Sequence, residues 1–417
     1  MTPPTNGDGQ ASQLTYEKLR DAVAGGAVAL RSRTELQPVD GPGGKVFPPT
    51  YAVAGNAEHK YAVETRQVGD REVLTVLLDS VASQANRAEL ALLEGWETGE
   101  LGFPVPYVDF STENGEFDDV GRLTVLEAPH RLADAIFRDS LLDGTLFRLS
   151  EVGRAITDAQ PRNATALFQH APTALLFGQW DSTGPKGGLG SKFQRAYVSE
   201  IVGHDVQIGR KVGSRLDPLQ IERGAAVAYE HKDPDQRWTL DEDEAVVEKG
   251  KPKVTGADGR PAEINHGNIA PSIDDAAGGV TISTAVQTTV ISLAALRRLR
   301  FAGHSRDAET AARTAIAALG VAAIVLQHEI DHDLRSRCLL IPQHAPSLEL
   351  VGRDGSAPVS VDVNRDTAAL VLAQAAQASA DLDLAWVTAE IKLQPAPKLL
   401  ELLRRSREVS ARETPGE

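Results

Sequence analysis

The sequence predicts an α+β protein with a ferredoxin-like core, and three features carry that reading. Two β-rich segments, 61–67 and 72–79, are joined by Val68-Gly69-Asp70, the composition of a tight hairpin. An amphipathic helix, 80–94, follows directly, with apolar residues at helical spacing. The same alternation then recurs, with strands at 123–126, 173–178 and 197–202 and helices at 130–140 and 164–169. Strand–helix–strand order combined with hairpins is the pattern of an α+β core.

The remaining elements fill in around that core. Residues 1–13 are polar and read as disordered. Residues 14–30 read as an amphipathic helix weakened by Gly25 and Gly26, and 37–50 as irregular, because proline and glycine punctuate them. From 231 to 279 the character changes: 241–244 is an acidic run, 249–260 is rich in Lys, Gly and Pro, and 276–279 is small and flexible. This stretch reads as an insertion projecting from the core. Residues 280–290 resume β-branched character, 306–332 form a long, mostly buried helix and 366–380 an alanine-rich one. The chain after Arg404 reads as a loose tail, so one body is expected over 14–403. No internal repeat is visible.

Composition narrows the class. A length of 417 residues is enough for a large core, and 41% hydrophobic with 24% charged residues is ordinary for a globular protein. The single cysteine, Cys338, excludes an intramolecular disulfide framework and a multi-cysteine zinc knuckle; its apolar run argues for an inert thiol. The N-terminus has neither a basic nor an apolar leader segment, and the most apolar stretch, 314–326, is too short to span a bilayer. A cytoplasmic protein is expected.

A formal charge of −15 weighs against non-specific coating of DNA but leaves room for a local polyanion site. Residues 182–216 supply one. Lys186, Lys192, Arg195, Arg210, Lys211 and Arg215 stand against two acids, Glu200 and Asp205. The glycine loop 184–192 lacks the Gly-Lys-Ser/Thr order of a Walker loop and the GxGxxG pattern, so nucleotide hydrolysis is not expected. Its amides can still cradle phosphate, or it is a solvated hairpin loop. Trp180 reads either as a base-stacking ring or as a core residue at a strand end. Arg131, beside His130 at a helix start, is a candidate phosphate ligand or a surface arginine. Gln84, Asn86 and Arg87 form a polar strip on the 80–94 helix, a second candidate contact face or a solvated one.

One string competes with this picture. His328-Glu329-Ile330-Asp331-His332 is an HExxH pattern, which on a helix places two histidines at i and i+4 around zinc with the glutamate activating water. The downstream residues do not supply the expected third ligand, and so short a string arises easily by chance. No catalytic residue, metal or cofactor is assigned, and the chain is expected not to be an enzyme.

Taken together, residues 78–87, 128–135, 176–184, 192–201 and 334–338 resemble, in order, the RAMP-superfamily backbone subunit of type I-G (formerly I-U) CRISPR Cascade. The resemblance spans about residues 14 to 340. It implies an RRM-like palm with inserted finger and thumb elements, 231–279 being the candidate insertion. It also implies a non-catalytic role in antiviral defence, in which several copies line the spacer of a crRNA and present it to target DNA. The implied partners are crRNA, further copies of the chain, the large subunit, the repeat-processing subunit and a recruited helicase-nuclease, with no membrane. Some RAMP relatives cut RNA with a metal, for which Asp181 would be the candidate carboxylate. The RNA-binding candidates are Gln84, Asn86, Arg87, His130, Arg131, Trp180, Lys186, Lys192, Arg195, Arg210, Lys211 and Arg215. Such a subunit must hold any sequence, which calls for contacts to phosphate and sugar rather than base edges.

Overall fold

The computed structural model describes residues 12–52, 58–111, 115–182 and 192–413. They divide into two compact units, the first made of the described residues within 1–49, 61–207 and 280–396, the second of those within 50–60, 208–279 and 397–417.

In chain order, the elements of the first unit that position the site are β1 (Ser12–Gln13), α1 (Tyr16–Asp21), β2 (Ala29–Pro38), β3 (Val63–Val68), β4 (Arg71–Asp79), α2 (Val81–Glu97), β5 (Gln179–Trp180), β6 (Lys192–Phe193), β7 (Tyr197–His204), β8 (Thr284–Ser292), α3 (Arg306–Glu329), β9 (Cys338–Pro342), β10 (Ser347–Val351), β11 (Val359–Asp362) and α4 (Arg365–Ala380). The main sheet runs β1-β11-β10-β2-β8-β7-β4-β3, with β9 also pairing with β2. At its centre β2 and β7 both lie antiparallel to β8, which separates them; Ala29 faces Ser292 and Tyr197 faces Ile291. Taken in chain order as first to fourth, strands β2, β7, β8 and β10 therefore lie side by side as β10-β2-β8-β7, the order fourth-first-third-second, with α2 preceding β7 and α3 preceding β10.

The inward face explains itself from the sequence. On β2, Leu30, Ser32, Thr34 and Leu36 point to the helices, while Arg31, Arg33 and Glu35 point away. Helix α2 starts where Ser80 accepts a hydrogen bond from the Ser83 amide, an N-cap that satisfies an otherwise orphaned donor. Helix α3 is buried along nearly its whole length, in keeping with its alanine-rich sequence. Such small side chains allow close approach: a Cβ on Gly320 would stand 2.7 Å from Ile291 Cδ1 of β8. A second cluster, including Leu36, Val76, Leu78, Ile201, Ile282 and Leu340, buries Cys338, whose thiol is pushed up to about 11 by burial.

The second unit is built from short hairpins. Lys211–Arg215 pairs antiparallel with Ile269–Asp274, and Tyr229–Glu230 pairs with Trp238–Thr239. Asp217 accepts hydrogen bonds from the amides of Leu219, Ile221 and Gly267, closing the loop beside the first ladder.

Several expectations are corrected. Ser12 and Gln13 are not disordered but pair in parallel with β11; residues 1–11 lie outside the described residues. The helix expected over 14–30 ends by Gly26, and Leu30 belongs to a strand. Residues 130–140 form two short turns of helix rather than one. Thr173–Phe177 is a helix, not a strand: all five side chains are buried, and a short run buried throughout carries no period to distinguish the two. The tail expected to be loose after Arg404 is part of a helix, Pro397–Glu413.

Candidate nucleic-acid interface

The site rises from a buried ion pair. Glu89 lies on the inner face of α2, spaced with Ala85, Ala88 and Leu92, and is 2% exposed. Arg131, 7% exposed and held at φ +53°, clamps it with two hydrogen bonds of 2.5 and 2.8 Å. Burial still pushes the Glu89 carboxyl up to about 6, against the opposing pull of Arg131 and, more weakly, Arg195. The third arm of the Arg131 guanidinium donates to the Gly178 carbonyl at 2.9 Å. The pair thus fixes the start of the next strand.

Gly178 is required there. It sits at φ +82°, and a Cβ would stand 2.9 Å from the backbone nitrogen of Arg195 and 3.0 Å from the Phe193 carbonyl oxygen. Immediately beyond it β5 pairs with β6, placing Trp180 opposite Lys192 and Gln179 opposite Phe193. Phe193 is buried and anchors the ladder, whereas Trp180 is 51% exposed. The Lys192 ammonium stands 5.4 Å from the centre of the Trp180 ring.

Pro129, His130, Arg131, Gly178, Gln179, Trp180, Lys192, Phe193, Gln194 and Arg195 line an open cleft of about 660 Å³. Among the described residues neither Lys192 nor the Arg195 guanidinium has a counter-ion within salt-bridge distance. Burial and the nearby Arg131 charge push Arg195 below the ordinary arginine range, with Glu89 opposing. The cleft therefore combines an exposed indole with uncompensated positive charge, the chemistry that holds a base and its phosphate.

The twelve expected RNA contacts are sorted by this geometry. His130, Trp180, Lys192 and Arg195 converge on the cleft. Arg131 lines it too, but as a buried strut committed to Glu89 and Gly178 rather than as the free phosphate ligand expected at a helix start. Lys186 lies outside the described residues. Arg210 and Lys211 pair with Asp275 and Asp274 in the second unit, and Arg215 donates to the carbonyls of His266 and Gly267. The basic window is thus divided between the two units.

The polar strip on α2 is also corrected. Asn86 is exposed, but Gln84 is buried and Arg87 is bound to Asp79 at 2.9 Å and to the Leu334 carbonyl at 2.6 Å. The Gln84 amide joins the helix to the sheet. Its nitrogen donates to Asp79 at 2.6 Å, and its oxygen accepts from Ser199, Gln287 and Gln327. A glutamine spaced among alanines on the inner face gives no signal of this in the sequence, and Glu89 was missed for the same reason.

The HExxH geometry does not form. Helix α3 ends at Glu329, Asp331 adopts φ +62°, and His332 begins a strand, His332–Arg335. Both imidazoles direct Nε2 at the Gln287 side-chain oxygen, at 3.1 and 3.0 Å, and Glu329 is salt-bridged to Arg365 at 2.7 Å. Burial, then the neighbouring ring, pushes His328 down to about 4; burial also lowers His332. Among the described residues no group of three His, Cys, Asp or Glu is placed to hold a metal. Asp181, the other candidate for metal chemistry, is buried and salt-bridged to Arg148 at 2.7 Å.

No curated protein matches the sequence. Residues 30–208, which run from β2 through β7 and contain the whole cleft, match the family model described as CRISPR-associated protein GSU0053, so this part of the chain is similar to a CRISPR-associated family.

Proposed function

We propose that the protein is a non-catalytic, guide-RNA-binding backbone subunit of a type I-G CRISPR surveillance complex, working in the cytoplasm. The observation that carries this reading is the cleft in which Trp180, Lys192, Arg195 and His130 converge, inside the segment similar to a CRISPR-associated family. Its groups suit a ring face and a phosphate and supply little base-edge discrimination, as a subunit holding any spacer requires.

Two further features support the reading. The order β10-β2-β8-β7, with α2 and α3 as the crossovers, is that expected of an RRM-like palm. Its outward face carries ion pairs, Arg31 with Glu349 and Arg66 with Glu200, so the cleft rather than the open sheet is the better place for RNA. The second unit serves as the inserted thumb: Val212 and Ile273 face one another across its ladder and are 76% and 63% exposed, suited to contact with another copy. The other partners are the large subunit, the repeat-processing subunit, the recruited helicase-nuclease and, through the guide, target DNA. The commitment of Asp181 to Arg148 argues against a metal-dependent RNA-cutting role.

The test is co-expression with a CRISPR array. The purified protein is expected to carry crRNA that is released by salt, and Lys192→Glu with Arg195→Glu to lose it. Recovery of the wild-type protein free of RNA, or of the double variant fully loaded, would overturn the assignment.

A further inference from the structure

We infer that the cleft is a single-nucleotide subsite in which one unstacked base lies on the Trp180 ring while its phosphate neutralises Arg195. This rests on the guide-RNA reading and adds to it a defined chemical step of recognition.

The indole is the first part of the argument. Trp180 lies in a two-residue strand directly after a buried helix, yet half of it faces solvent. Such a ring is not packing the core, and its neighbour across the ladder is a lysine. The ammonium 5.4 Å from the ring centre covers an electron-rich face that an aromatic base can take instead. Tethered opposite Trp180, Lys192 can swing to the phosphate as the base arrives.

Charge is the second part. Glu89 and Arg131 cancel one another beneath the cleft, leaving Lys192 and Arg195 as its net charge. Among the described residues no carboxylate lies within salt-bridge distance of Lys192 or Arg195, so the site is open to an anion. A nucleotide brings a flat ring and one phosphate charge on the same unit, which matches both deficits at once. The cleft volume of about 660 Å³ accommodates a single nucleotide and its hydration. A base that stacks on Trp180 must release its neighbour in the strand, so the ligand is single-stranded RNA with one base out of the stack.

The rigid floor makes the site specific in position. Arg131 holds the Gly178 carbonyl, and Gly178 passes so close to Arg195 that the indole and the guanidinium are set by the same backbone.

The experiment uses the full chain and uniform single-stranded RNA carrying 5-iodouridine, whose photochemical cross-links form to stacked aromatic rings. The expected cross-link maps to Trp180. Trp180→Ala weakens RNA binding about tenfold with the salt dependence unchanged, and Trp180→Phe restores most of it. Arg195→Gln weakens binding and lowers the salt slope by about one charge. Because Trp180 is half exposed, its two variants should keep the wild-type unfolding temperature, which is measured alongside. If RNA binds but cross-links elsewhere and Trp180→Ala binds as wild type, the subsite is overturned while the guide-RNA reading stands. If the wild-type chain binds no RNA, that reading falls and the subsite with it.

Discussion

Arg131 joins Glu89 through two hydrogen bonds while its remaining arm holds the Gly178 carbonyl, so one buried guanidinium ties α2 to the strand that carries Trp180. Removing either partner leaves a buried charge uncompensated. Arg131→Ala is expected to cost about 3–5 kcal/mol in urea unfolding. Glu89 adds a pH signature. Its folded carboxyl titrates at about 6, above the ordinary value, so the folded state holds the proton more tightly than the unfolded one. The contribution is most favourable below the ordinary carboxylate value and is lost as pH rises through 6, by about 2 kcal/mol. The stability difference between wild type and Glu89→Gln should narrow by that amount from pH 4 to 7.5. A pH-independent difference would refute it.

The histidine pair has the opposite sign. His328 titrates at about 4 in the folded protein and His332 is also lowered, so the unfolded state binds more protons across the interval below the ordinary histidine value. Stability should therefore fall as pH drops from about 6.5 toward 4. His328→Asn, which keeps a donor for Gln287, should flatten that fall in a denaturation series. Elemental analysis of the wild-type protein should show no stoichiometric zinc. One zinc per chain, lost in His328→Ala, would reverse the conclusion drawn from Glu329 and Arg365.

How far these features could be read from the sequence depends on the physical signal each carries. Helix α2 was legible because Ser80 caps it and its apolar spacing is regular. The hairpin β3–β4 was legible from its turn residues. Strand β2 was not, because half its inward positions are Ser32 and Thr34, which disguise the alternation. The chain after Arg404 reads as a loose tail, yet it continues the helix Pro397–Glu413, in which Glu401 bridges Arg404 and Arg405 at helical spacing. At the site, Trp180, Lys192 and Arg195 stood out by residue type. Glu89 and Gln84 did not, since only the tertiary partners make them matter. Six residues of the window looked equivalent as charges, and only the fold reveals that Arg210, Lys211 and Arg215 are engaged within the other unit.

Gln84 supplies the third prediction. Its amide meets Asp79, Ser199, Gln287 and Gln327 in a buried setting, so Gln84→Leu strands several polar groups at once. A loss of roughly 2–4 kcal/mol is expected, more than for a typical single hydrogen bond. Gln84→Glu should be no better, because it places a second carboxylate beside Asp79. RNA affinity of whatever folded protein remains should be unchanged at low temperature. A neutral Gln84→Leu would mean that the hub does not hold the helix to the sheet.

Gly178 separates strain from charge. At φ +82° any side chain is disfavoured, and a methyl group would press within 2.9 Å of the Arg195 backbone and side chain. Gly178→Ala is expected to lower stability by about 1–3 kcal/mol. It should also weaken RNA binding at least as much as Arg195→Gln, although no charge is removed. Its salt slope should remain that of wild type, because both cations are still present but displaced from the ring. If Gly178→Ala binds RNA as tightly as wild type, the backbone at 178 does not set the geometry of the cleft, and Trp180 and Arg195 act independently.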